Sequence, residues 1–281
     1  MNLRPLSILA LSFVLGACAA APRGGTPSEG AGRDVRLVIV DQARWSMSAH
    51  NLQPWEVVLD PDDALAFRVH IAGPRLLPQA DPISRQTLMS IGAFLSLAED
   101  AAAAAGYRAG IALFPGGEPA AGDLGTGFSA PVAVVHLEPS PAATVPGHLD
   151  ALGGATVKAG LGELAVAAER QDDLRRANSF PGITVDVLTD ERTLARLKPQ
   201  LKEAFRLEMT HPPTLEESYT LMRRNARQIA QTPWGLSYRS SFPRKSLGPV
   251  QFFETLFPMR PAKWGRAGAD SFDREIDRAR T

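Results

Sequence analysis

The stretch from residue 55 to residue 71 limits the fold of this chain more than any other. Trp55-Glu-Val-Val-Leu-Asp60 has strand composition, Pro61-Asp-Asp63 is a turn signal, and residues 64–71 alternate, with Leu65, Phe67, Val69 and Ile71 on one face. The pattern predicts a β-hairpin. Just before it, residues 41–49 read as a helix that closes into a loop at 50–54, after a short apolar run at 35–40. Just after it, residues 84–105 turn helical, with Leu88, Ile91, Leu95 and Ala98 on one stripe and Gly106 where a C-terminal cap glycine belongs. Residues 107–114 and 132–137 read as buried strands separated by a Gly/Pro-rich loop. Further on, the pattern predicts a helix at 165–177, a strand at 183–188, and a helix from about 190 to 209 that Pro199 is placed to interrupt. Thr214-Leu-Glu-Glu217 reads as a capping box opening one more helix. Residues 264–281 are charged, with no evident core face. Hairpin strands mixed with long helices predict an α+β fold.

The first residues concern delivery, not folding. Arg4 precedes an apolar run, Leu6-Ser-Ile-Leu-Ala-Leu-Ser-Phe-Val-Leu15, and the small residues Gly16 and Ala17 lead into Cys18. A charged start, a short apolar core and a small-residue cleavage site describe a secretory signal. The run is too short for a stable membrane-spanning helix. Leu15-Gly16-Ala17-Cys18 resembles the bacterial lipobox, which implies acylation of Cys18 and cleavage before it. The competing reading is an ordinary secretory signal that happens to end near a cysteine. Cys18 is the only cysteine, so no internal disulfide can form. Ala19 follows Cys18 where an acidic residue would stand in a protein kept at the inner membrane. The resemblance therefore implies the periplasmic side of the outer membrane. The expected organisation is a signal peptide at 1–17, a small, Gly-rich tether at 18–34 and a folded domain at 35–281.

Composition narrows the function classes. Formal net charge is zero, so nothing in the balance points to nucleic acid. The five histidines include no His-Glu-x-x-His spacing, and no second cysteine exists for a Cys/His zinc site, so no metal is expected. Gly125-Thr-Gly127-Phe-Ser-Ala130 matches a dinucleotide fingerprint on paper but precedes a strand instead of following one. Arg223, Arg224 and Arg227 read as a solvated basic face of one helix.

One segment carries chemistry. In Ala43-Arg-Trp-Ser-Met-Ser-Ala-His-Asn-Leu-Gln-Pro-Trp55, Asn51 and Gln53 each offer a carboxamide with donor and acceptor side by side, and Ser48 adds a hydroxyl. Such groups on a tight loop suit a flat heterocycle whose edge alternates donors and acceptors. Ordinary turn chemistry would also use these residues.

The segment resembles the nitroreductase family of flavoproteins, whose first helix ends in a pattern like Ala-Pro-Ser-x-x-Asn-x-Gln-Pro-Trp. It is closest to the Acg-like branch, where a histidine precedes the asparagine as His50 precedes Asn51. Asp81-Pro-x-x-Arg85, Ser90-Ile-Gly-Ala-Phe-Leu-Ser-Leu-Ala98 and Gly106-Tyr107 resemble the branch's next helix and strand. Met47 stands where the family has proline. The resemblance implies a nitroreductase-like sheet flanked by helices, in two pseudo-repeated halves, and bound FMN. Ser48, Asn51 and Gln53 would meet the flavin ring. The phosphate motif of the second half is best matched by Gly154-Ala-Thr156-Val-Lys158, where Thr156 and Lys158 keep a hydroxyl and a cation and Gly154 replaces an arginine. Glu216-Glu217-Ser218 through Met222-Arg223 resembles a later helix without a catalytic role. Relatives continue beyond the point where this chain ends, so an incomplete second half is expected.

The function so implied is an FMN-dependent oxidoreductase passing a hydride through flavin to a small nitroaromatic or quinone-like acceptor, with no catalytic side chain required. Two alternatives stay open: a non-catalytic flavin binder, and a cofactor-free scaffold anchored to the membrane. Export argues for an electron donor other than cytoplasmic nicotinamide.

Overall fold

A computed structural model describes residues 32–120, 123–125, 128–140, 167–176, 182–237 and 244–278. The chain divides between Arg33 and Asp34, and the sheet and helices all belong to the unit that begins at Asp34. Four strands, β1 (Trp55–Leu59), β2 (Ala66–Ile71), β3 (Tyr107–Leu113) and β4 (Ala133–Pro139), form one antiparallel sheet in the order β1-β2-β4-β3. The expected hairpin is β1–β2, with Trp55 opposite Ile71 and Leu59 opposite Phe67. Register fixes the faces. Phe67 lies opposite Val135 and Val69 opposite Ala133, so the alternating apolar residues of neighbouring strands fall on one side. Two helices cover that side: α1 (Val35–Ala43) and α2 (Arg85–Ala104). Phe94 of α2 stacks on Trp55 with ring centroids 5.0 Å apart. Helix α2 is long and apolar enough to cross a membrane by composition alone, but its stripe of Ile91, Phe94, Leu95 and Ala98 is buried on the sheet. It ends where expected: Gly106 follows the cap residue at φ 83°. The hairpin turn is held by Arg36, which donates to the carbonyls of Asp60 (2.7 Å), Asp63 (2.7 Å) and Ala66 (3.1 Å) while pairing with Asp34.

The remaining helices are α3 (Ala168–Arg176), α4 (Glu191–Thr210), α5 (Pro212–Thr220), α6 (Ala226–Gln231), α7 (Arg244–Leu256) and α8 (Pro261–Arg278), giving eight among the described residues. The α+β expectation holds at this level. Several finer expectations do not. The helix expected at 41–49 is α1 instead, because Asp34 caps the apolar run with a bond from the Arg36 amide. Strand β3 is not buried: it lies at the sheet edge, with Arg108, Gly110 and Ala112 on the open face. Residues 183–188 alternate like a strand but belong to none of the strands among the described residues; Ile183 and Val185 are exposed, and Arg175 holds Asp186 and the Val187 carbonyl. Pro199 does not interrupt α4, because it lies on the solvent side, where water can take the bond it removes. Thr214 is not a cap. Helix α5 starts at Pro212 with His211 as cap residue, and the Thr214 hydroxyl donates back to the His211 and Glu208 carbonyls. The charged C-terminal stretch does have a core face, made of small residues. Gly265 and Ala269 are buried, and a Cβ at Gly265 would run into the Met209 carbonyl.

Candidate functional site

Between α1 and β1 the chain makes the loop that carries Ser48, Asn51 and Gln53. His50 (φ 50°), Asn51 (φ 53°) and Gln53 (φ 51°) all take left-handed backbone. That conformation costs a residue with a Cβ roughly 1–2 kcal/mol, asparagine least. It persists only where the surroundings over-determine it, and here they do. The Ser48 hydroxyl accepts from the Gln53 amide (3.0 Å), and Arg75 donates to the Gln53 carbonyl (2.8 Å). Ser90 of α2 accepts from the Ala49 amide (3.1 Å). From the far side, the Gly235 amide donates to the Asn51 carbonyl (2.9 Å).

The side chains are partly committed. Asn51 Nδ2 donates to the Gly235 carbonyl (3.2 Å), and Gln53 Nε2 reaches Asn51 Oδ1 at 3.5 Å. Asn51 is exposed and Gln53 half-exposed. His50 Nε2 meets the Ser218 hydroxyl at 3.0 Å. Burial lowers the His50 pKa below its ordinary value, against the opposing charges of Glu208 and Glu217. Glu217 does not cap its own helix. Its carboxylate accepts from the amides of Gln79 (3.1 Å) and Ala80 (2.8 Å), across from α5 to the segment ahead of α2.

Beside the loop lies a group of arginines on aromatic rings. Arg75 and Arg223 sit 5.9 and 5.0 Å from the centre of the Trp234 ring, and Arg224 sits 4.7 Å from that of Tyr219. The three arginines expected on one basic helix face do not share a helix. Only Arg227 is on α6. Asn225 caps that helix through the Gln228 amide, so Arg223 and Arg224 fall in the connection before it. There the Arg223 amide is drawn to the Leu236 carbonyl (2.7 Å). Gly235 makes the approach possible at φ 101°; a Cβ would lie 2.7 Å from the Leu221 carbonyl and 3.2 Å from Arg223 Nη2. Desolvation lowers the Arg223 pKa.

Of the residues expected to form a site, Ser48, Asn51 and Gln53 come together. Cys18, Thr156 and Lys158 lie outside the described residues, as do the expected signal peptide and most of the expected tether. Sequence reasoning missed Arg75, Ser90, Glu217, Trp234 and Gly235. Each acts on the loop or its surroundings from a distant part of the chain, and only the Trp-Gly pair carried a local turn signal. Compared with known proteins, the chain matches no protein-family model and no curated protein.

Proposed function

We propose that this chain is a membrane-anchored, flavin-binding oxidoreductase of nitroreductase type, passing a hydride through FMN to a small nitroaromatic or quinone-like acceptor. The observation that supports the reading is the locked left-handed loop that gathers Ser48, Asn51 and Gln53. Strain of this kind is characteristic of ligand sites. The residues present fit a ring edge in one respect: Gln53 Nε2 donates to Asn51 Oδ1 at 3.5 Å near the surface, which leaves the second Nε2 hydrogen and the second Oδ1 lone pair for a ligand. Bound flavin would supply the hydride chemistry. The chain would bind and orient it, with Asn51 and Gln53 at the ring, the Ser48 hydroxyl holding the loop's shape, and Thr156 and Lys158 at the phosphate. On this reading the sheet is one nitroreductase-like half, and the helical region stands where a second pseudo-repeat begins. Acylation of Cys18 would hold the domain at the periplasmic face of the outer membrane.

The cofactor-free scaffold is the second reading, and one observation favours it: Asn51 Nδ2 is already given to the Gly235 carbonyl. Titration of FMN into full-length protein, read by quenching of flavin fluorescence, separates the two. Quenching that Gln53→Leu weakens about tenfold supports the flavin site. Absence of quenching by wild type supports the scaffold. Reoxidation of the reduced, bound flavin by a nitroaromatic or quinone then distinguishes an enzyme from a carrier. Anchoring is tested separately: Cys18→Ser should leave the protein unlipidated, either released from the membrane fraction or stalled with residues 1–17 uncleaved, and unchanged detergent-dependent extraction of a cleaved mutant would defeat the lipid anchor.

A further inference from the structure

We propose a second binding site, a cleft between α5 and α6 that takes a phosphoryl group on the guanidinium forks of Arg223 and Arg224. This site does not depend on the flavin reading. The cleft has a volume of about 320 Å³, and Arg223, Arg224, Gln228, Thr232 and Trp234 are among the residues that line it; none of its lining residues is acidic. The Nε–H groups of both arginines are buried without an acceptor among the described residues. Most buried donors in proteins are satisfied, and one that is not bears its full desolvation cost.

Several arginines elsewhere behave differently. Arg36, Arg68, Arg108, Arg175, Arg176 and Arg206 each pair with a carboxylate, whereas no ion pair among the described residues involves Arg223 or Arg224. The nearest acidic side chain in the chain direction, Glu217, is turned away to the amides of Gln79 and Ala80.

Both guanidinium groups are held in place. Arg223 stacks on Trp234 and donates through Nη1 to the Thr220 carbonyl (3.1 Å). Arg224 stacks on Tyr219, and its amide donates to Gln228 Oε1 (2.7 Å), which leaves Gln228 Nε2 as a further donor. Stacking immobilises the planar face of a guanidinium and leaves its edge for a bidentate partner. Desolvation of Arg223 without a neighbouring negative charge favours the entry of an anion. Paired planar forks match the oxygens of a phosphoryl group. That group could belong to a small soluble phosphomonoester or to a phospholipid headgroup, since both present the same oxygens.

The test is calorimetric titration of inorganic phosphate into the full-length protein in neutral detergent, at ionic strength held constant with sodium chloride. Saturable single-site binding is expected, weakened about tenfold by Arg223→Gln or Arg224→Gln. Arg227→Gln, which removes the same charge from an exposed position on α6, should bind phosphate like wild type. Circular dichroism checks that each variant folds. Arg224→Lys is the fallback if a glutamine variant does not fold: it keeps the charge, loses the fork, and should still weaken binding. Wild type without saturable phosphate binding would overturn the proposal, as would Arg224→Gln and Arg224→Lys binding as tightly as wild type. Competition by glycerol 3-phosphate alone would identify a soluble phosphomonoester, and competition by phosphatidic acid doped into the micelles would identify a headgroup. Phosphate binding without FMN quenching would leave this site standing and remove the flavin reading alone.

Discussion

Residues 34–140 and 182–278 hold themselves together in different ways. Ile39, Phe67, Val69, Leu77, Phe94, Val132 and Val135, the largest fully buried side chains among the described residues, all belong to the first region. Among the described residues of the second, the buried apolar ones are Met209, Leu215, Met222 and Ala269, while Leu201, Leu207, Phe252, Phe253, Leu256 and Phe257 are exposed. Its helices are cross-linked instead. Lys202 pairs with Asp277, Arg206 pairs with Asp273 (2.5 Å), and Phe205 stacks on Phe272 at 4.2 Å. Polar contacts join it to the first region: Glu217 to Gln79 and Ala80, His50 to Ser218, and Asn51 to Gly235. The sheet therefore rests on apolar burial, and the helical region on close backbone approach and directed polar contacts. The candidate loop and the arginine cleft both lie where the two styles meet.

Four measurements put this contrast at risk. The largest effect is expected from Phe67→Ala, a cavity in the sheet core that should cost about 3–5 kcal/mol in urea unfolding. Phe253→Ala, exposed on α7, should stay within about 0.5 kcal/mol of wild type. Similar losses for the two would erase the distinction. Next comes Gly265→Ala. Its new Cβ meets the Met209 carbonyl, so about 1–3 kcal/mol is expected. Hydrogen exchange should show α4 and α8 losing protection while β2 and β4 keep theirs; uniform loss would mean that the regions unfold as one. Glu217→Ala removes two charge-assisted bonds that join the regions, at a cost of about 1.5 kcal/mol because the site is half-exposed. Protease sensitivity should rise around residues 76–84, and an unchanged digestion pattern would argue against the clamp.

The smallest effect is a pH dependence at His50. Burial keeps its folded pKa below the unfolded one, so the neutral ring favours the folded state. That contribution is complete above the ordinary histidine pKa of about 6.5 and is lost as pH falls through the depressed value. The stability gap between wild type and His50→Gln should therefore narrow between pH 7.5 and pH 5. A gap equal at both values would show that His50 is not buried against the helical region as a neutral ring.

Much of the first region was legible because its periodicity and its burial coincide. Leu65, Phe67, Val69 and Ile71 alternate, Ile91, Leu95 and Ala98 recur at helical spacing, and both patterns face one core. The helical region was read less well. Gly265 and Ala269 make a core face by being small, which no apolar pattern records. Ile183 and Val185 alternate like a strand yet lie in no strand of the described residues. Glu217 has the spacing of a capping box but bonds to another part of the chain. At the site, Asn51 and Gln53 were visible as paired carboxamides, whereas the residues that lock them were not.

Residue order is enough to specify the elements whose stability is local or periodic: the hairpin, the α2 stripe with its Gly106 end, and the carboxamide loop between α1 and β1. Which polar groups meet is settled by the folded arrangement. Arg75, Ser90 and Gly235 hold the loop in left-handed backbone, Gly235 admits Arg223, and Glu217 is drawn away to Gln79 and Ala80. Apolar burial scales with area and needs no particular partner, so a pattern along the chain can encode it. A hydrogen bond or a close backbone approach needs one atom at one distance, and residues far apart in the chain supply it only once the chain has folded.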